Sequence, residues 1–195
     1  MIQLITTLFV TLAVAISPRA VVPLPVSVTE NEGTYTLSQS PTLKVVCKSD
    51  CDGLEALTDY AKDELGWTLS EKGDIVITLG DRNFVKKVNA DASIREDCRD
   101  AAYSLTIGKK GIDIKALAPK GAFYALQTLR QMTAGGDELQ CCAVYDWPRF
   151  PYRGLMLDVS RNFRDRQFIE KQIDAMALLK MDKLHLHLTD DAGWR

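Results

Sequence analysis

The sequence predicts an α+β domain followed by the start of a (β/α)8 TIM barrel, and three observations predict it. Alternating apolar runs bounded by Gly and Pro recur between Val21 and Ala116, with helix-period stretches set among and after them. Near the C-terminus a short apolar run ends in Asp158 and Arg161, an amphipathic stretch follows, and a second apolar run ends in Asp190 and Asp191. Those charges fall where strands stop. Parallel strands joined by a helix are buried on both faces, so charge is tolerated only at their ends, and the C-terminal ends of barrel strands make the active face.

Met1 to Ile16 carry no charge and are almost wholly apolar, and Pro18 and Arg19 end the run. This length suits a signal-peptide core, since a membrane span needs about 20 residues, although no Lys or Arg precedes it. Residues 1–20 are therefore expected to be a signal peptide, with small residues for cleavage at Ala13-Val14-Ala15 and Ala20, and the protein to be exported to the periplasm, cell surface or medium. The alternatives are an uncleaved anchor or an apolar N-terminal strand.

Val21 to Leu43 alternates around Pro23, Pro25 and Gly33, which predicts short strands, and Lys44 to Cys47 continues the sheet. Leu54, Leu57, Ala61 and Leu65 stand at helical spacing before Gly66, a stop. Asp74 to Leu79 is a strand. Tyr103 to Ile107 and Ile112 to Ala116 flank the turn-like Gly108-Lys109-Lys110-Gly111, which predicts a hairpin. A helix from Gly121 to Met132 follows and ends at Ala134-Gly135-Gly136. Asp146 to Pro151 reads as an extended linker held by two prolines. The predicted division is an α+β accessory domain over 21–148 and the beginning of the barrel over 149–195.

In the second barrel strand Leu184, Leu186 and Leu188 share one face and His185, His187 and Thr189 the other. The leucines are expected against the helix layer and the histidines toward the barrel interior. Phe168, Ile169, Ile173 and Met176 form the stripe of the intervening helix and are assigned to packing.

A net charge of −2 gives no footprint for nucleic acid or a membrane surface. Five cysteines cannot all pair within one chain. Cys47 and Cys51 are close enough to close a small loop if the protein is exported. The cysteines lack the second pair and the neighbouring His of a zinc site, so no metal and no cofactor is expected.

Three segments stand in order: DWPRFPYRG (Asp146 to Gly154), LMLDVSRNF (Leu155 to Phe163) and KLHLHLTDDAGWR (Lys183 to Arg195). Together they resemble glycoside hydrolase family twenty, the β-N-acetylhexosaminidases. Upstream, PLPVSV (Pro23 to Val28) and KGAFYALQTLRQM (Lys120 to Met132) are similar to the accessory domain that precedes that family's barrel. The resemblance implies hydrolysis of terminal N-acetylglucosamine or N-acetylgalactosamine from β-linked glycans, with retention and with the substrate's acetamido group as nucleophile. N-acetylhexosamine-containing glycans are the partners it implies.

By the same resemblance Arg161 binds hydroxyls of the terminal sugar, for which a planar guanidinium is suited; read without it, Arg161 pairs with Asp158. Asp190 is implied to hold a histidine from a later strand, which in turn contacts the general acid. Asp191 is as readily a cap. His187, nearer the strand end, is expected to line the barrel and approach substrate. His185 and His187 also form the H-x-H by which some metal-dependent amidohydrolase-type barrels hold an ion, an alternative without a third histidine in the chain. Trp194 is read as core rather than as a sugar platform.

The family's catalytic residues are an adjacent Asp-Glu pair, and none occurs after Arg153. A complete barrel takes roughly 250 residues, so Arg153 to Arg195 is expected to be about its first quarter, truncated after the second strand. The chain is therefore expected to be an inactive fragment with a mobile, protease-sensitive C-terminal segment. A non-catalytic accessory domain is the remaining alternative.

Overall fold

The structure, a computed structural model, describes residues 16–48, 51–191 and 193–194. Most of the expected signal peptide lies outside the described residues. Pro18–Ala20 form a short 3-10 turn, and Ser17 Oγ donates to Glu30 Oε1 at 3.0 Å.

The first domain is a seven-stranded mixed sheet built from β1 (Ser27–Thr36), β2 (Thr42–Cys47), β3 (Thr68–Leu69), β4 (Ile75–Leu79), β5 (Tyr103–Gly108), β6 (Gly111–Ala116) and β7 (Glu138–Asp146). The strand order is β1-β7-β5-β6-β4-β2-β3; β1, β7, β5 and β6 run antiparallel to their neighbours, and β6, β4, β2 and β3 pair in parallel. Alternation fixes which face is buried. Ile75, Ile77, Leu79, Leu105, Ile114 and Ala116 are fully buried and join one core.

Helices α1 (Leu54–Asp59) and α3 (Pro119–Thr133) contribute Leu57, Ala122, Leu126, Leu129 and Met132 to that core. Gly121 lets α3 approach closely: a Cβ there would stand 2.5 Å from Ala102 O. The sequence reading extended α1 to Leu65; beyond Asp59 the chain widens into a π-helical turn, Tyr60–Glu64. The other sheet face is covered in part by α2 (Arg82–Ala90), capped by Asp81 Oδ1 accepting from Phe84 N at 3.1 Å. Phe84 and Val88 pack there with Ile94, Cys98 and Ala102.

Two expectations are corrected here, and one strand is added. Val21 to Leu43 holds one long edge strand, β1, whose register shifts between Glu30 and Thr34, and the first two residues of β2. Strand β7 had no forecast, and it occupies the place between β1 and β5. Asp146, read as linker, is the last residue of β7 and is buried.

The second unit consists of β8 (Gly154–Asp158), α4 (Arg166–Leu178) and β9 (Lys183–His187), with β8 and β9 parallel. Asp165 caps α4, its Oδ1 accepting from Phe168 N at 2.8 Å. Leu184 and Leu186 are half-buried and His185 exposed, as the alternation requires. Met176 is buried, whereas Ile173, assigned to packing, is 50% exposed. The second strand ends two residues earlier than the sequence reading placed it. Beyond β9, Thr189–Asp190 (β10) pairs antiparallel with Gly193–Trp194 (β11), turning the chain back at Asp190.

This unit contacts α3 through side chains. Arg130 donates to both Asp174 carboxylate oxygens at 2.8 and 3.1 Å, and Gln131 Nε2 donates to Leu178 O at 2.9 Å. Arg153 Nη2 donates to Tyr124 Oη at 2.6 Å while its Nε donates to Lys180 O at 2.7 Å. Helix α4 closes in a Schellman turn, with Met181 N donating to Met176 O and Lys180 N to Ala177 O. The left-handed position, usually Gly, is Lys180 at φ 58°.

Candidate functional site

The parallel register of β8 and β9 sets Asp158 opposite His187 at the strand ends. The next two peptide groups bind to the same place, Val159 N and Ser160 N donating to His187 O at 3.2 and 3.3 Å. This turn brings Arg161 back over Asp158, whose Oδ1 accepts from Arg161 N at 3.0 Å. The turn at β10 supplies the second carboxylate: Asp190 Oδ2 accepts from Arg161 Nε at 2.5 Å, and Asp190 Oδ1 from Asp191 N at 2.9 Å. Asp158 Oδ2 stands 3.6 Å from the same Nε.

The N–H of Arg161 holds the Asp158 carboxyl below the usual carboxylate range, against a smaller burial effect and aided by the facing His187. Asp190 is held low chiefly by the Arg161 hydrogen bond and then by Asp191 N–H. Arg161 is raised in return, Asp190 first among the causes. Both carboxylates are therefore anions at neutral pH, gripping the guanidinium along its Nε edge. Its terminal nitrogens have no partner among the described residues, and the side chain is 72% exposed. An arginine so anchored presents a fork of donors to a ligand with adjacent hydroxyls.

The structure thus brings together Arg161, Asp190 and His187 of the sequence-predicted residues. Asp191 is exposed and contributes its backbone N–H. His185 is exposed one pleat earlier on β9, and the side chain of Trp194 lies outside the described residues. Among the described residues no three His, Cys, Asp or Glu side chains converge as metal ligands. Asp158 facing His187 is what sequence reasoning missed. The sequence reading ran the second strand on to Thr189, so the pairing of Asp158 with His187 emerges only from the observed register.

Compared with known proteins, residues 19–147 match the family model described as glycosyl hydrolase family 20, domain 2, and residues 150–195 that of the glycosyl hydrolase family 20 catalytic domain. A β-hexosaminidase of Vibrio vulnificus is 32% identical over 177 residues, covering 90% of this chain and 19% of that protein. A β-N-acetylhexosaminidase of Cellulomonas fimi is 32% identical over 180 residues, covering 90% of this chain and 36% of that protein. The chain thus spans well under half the length of these relatives. Among solved structures, a mutant β-hexosaminidase of Streptomyces plicatus in complex with product GlcNAc superposes with a TM-score of 0.72 at 29% identity, covering 92% of this chain and 36% of that one.

Proposed function

The chain belongs to glycosyl hydrolase family 20, and from that membership we propose that it forms the N-terminal part of a β-N-acetylhexosaminidase. Its substrates are then β-linked glycans ending in N-acetylglucosamine or N-acetylgalactosamine, hydrolysed with retention through the substrate's own acetamido group. The observation that carries the reading is Arg161 held by Asp190 and Asp158 with its terminal nitrogens unpartnered among the described residues.

In this reading Arg161 donates to hydroxyls of the terminal sugar, and Asp190 both steadies Arg161 and waits for a histidine from a later strand. The adjacent Asp-Glu pair that would orient the acetamide and protonate the leaving oxygen does not occur after Arg153. The 195 residues alone are therefore expected not to turn the sugar over. We further propose export, for which the Cys47–Cys51 disulfide is support, since such bonds persist in oxidising compartments.

The test is turnover of an aryl β-N-acetylglucosaminide by the 195-residue protein and by the same chain extended with a relative's remaining barrel. Turnover by the extended chain, lost in Arg161→Ala, is the expected result. A folded extended chain that is inert toward N-acetylhexosaminides would sink the enzyme reading. Turnover by the 195 residues alone would sink their inactivity.

A further inference from the structure

His187 Nδ1 is buried, and the group it faces is Asp158 Oδ1 at 3.2 Å, off the line of a full hydrogen bond; it has no other partner among the described residues. An ionised carboxylate can only accept. A lone pair on the ring nitrogen facing it would oppose the carboxylate, so a hydrogen there is favoured, and in a neutral imidazole this leaves Nε2 as the acceptor. With the side chain 38% exposed and Nδ1 buried, the open surface belongs to the rest of the ring.

We propose that Asp158 is a positioning residue: it fixes His187 as the Nδ1–H tautomer, whose Nε2 accepts from a sugar hydroxyl beside the Arg161 that donates to one. This rests on reading Arg161 as the sugar contact. One carboxylate governs both neighbours, because Asp158 Oδ1 also takes Arg161 N at 3.0 Å. A hydroxyl is donor and acceptor at once, and a guanidinium satisfies only its accepting half. His187 supplies the other half, so the pair selects a free hydroxyl over an alkylated or glycosylated one.

Long-range 1H–15N spectra of the labelled 195-residue chain at alkaline pH test this. The chain has two histidines, so the exposed His185 serves as reference on the same strand. His187 should show a protonated, pyrrole-type Nδ1 and a pyridine-type Nε2, while His185 shows the mixture of an unconstrained ring. In Asp158→Ala His187 should relax to that mixture, and Asp158→Glu should restore the single tautomer. A wild-type His187 in the Nε2–H form or in the His185 mixture overturns the proposal, even where the alanine variant fails to fold.

Titration with N-acetylglucosamine of the chain extended with a relative's remaining barrel should move His187 Nε2 and Arg161 Nε together. Movement of Arg161 alone overturns the acceptor role. If neither moves, the sugar-binding reading falls and the acceptor role with it, while the tautomer still decides whether Asp158 sets the ring.

Discussion

Lys180 Nζ lies 2.9 Å from Asp146 Oδ2, with both side chains almost wholly buried. The pair joins the turn that ends α4 to the last residue of β7. Tyr103 Oη donates to the same oxygen at 2.8 Å and accepts from Lys180 Nζ at 2.8 Å. Burial pulls the ammonium below its ordinary pKa, and Asp146 opposes that pull.

Removing one partner strands the other. Lys180→Met is expected to cost about 3–5 kcal/mol, the usual penalty for an unpaired buried charge. Lys180→Met together with Asp146→Leu should recover much of the loss, since a packed apolar pair can replace a buried ion pair. Urea unfolding of the two single variants and the double variant checks this; additive losses would show that the residues do not act as a pair.

Asp182 gives the acid limb of stability. Burial alone would raise its pKa, but Arg153 N–H and the charges of Arg153 and Lys183 bring it below the ordinary value. Below an unfolded-state pKa of about 4 the unfolded chain takes up a proton that the native chain refuses. Stability is therefore complete above that pH and falls as the pH drops toward the folded-state value. Thermal melts between pH 6 and pH 2 should be less steep in pH for Asp182→Asn, which lacks this group. An identical slope would remove Asp182 from the account.

Arg161→Ala, in the chain extended to a full barrel, is expected to lower kcat/KM roughly a hundredfold, the order for losing charged donors to substrate hydroxyls. The fold should persist, because the side chain is exposed. Asp190→Asn keeps the shape and removes the charge, so its loss should fall mainly on kcat and alter the acid limb of the pH profile. Steady-state kinetics on both variants separates them; an unchanged kcat/KM in Arg161→Ala returns that residue to a structural ion pair.

Export is checked at the N-terminus. Protein recovered outside the cytoplasm should begin near residue 20, with Cys47 and Cys51 unreactive to thiol reagents until reduced. Recovery with Met1 intact would sink the signal-peptide reading.

The sequence made legible what periodicity encodes. The hairpin of β5 and β6 and helix α3 followed from alternation and from the spacing of Phe123 and Leu126. Strand β7 escaped because the adjacent Cys141 and Cys142 are both buried, which breaks period two. Helix α2 offers only Phe84 and Val88 as buried residues in a polar stretch. Arg161 and Asp190 were readable as charges at strand ends, and the roles proposed for them come from the resemblance. The Lys180–Asp146 pair was not readable, because a lysine after a helix and an aspartate before a proline segment each look like surface until tertiary packing brings them together.

The turn at Lys180 also bears on how such chains can be recombined. A crossover placed at Pro148 looks natural, since it falls between the two units. Yet the left-handed turn at φ 58° sends Lys180 into the neighbouring unit, where a transplanted sheet lacking Asp146 and Tyr103 would leave it without a counterion. The exchangeable module is therefore defined by side-chain partnership rather than by the peptide between the units, and a working chimera carries Tyr103, Asp146 and Lys180 as one inherited set.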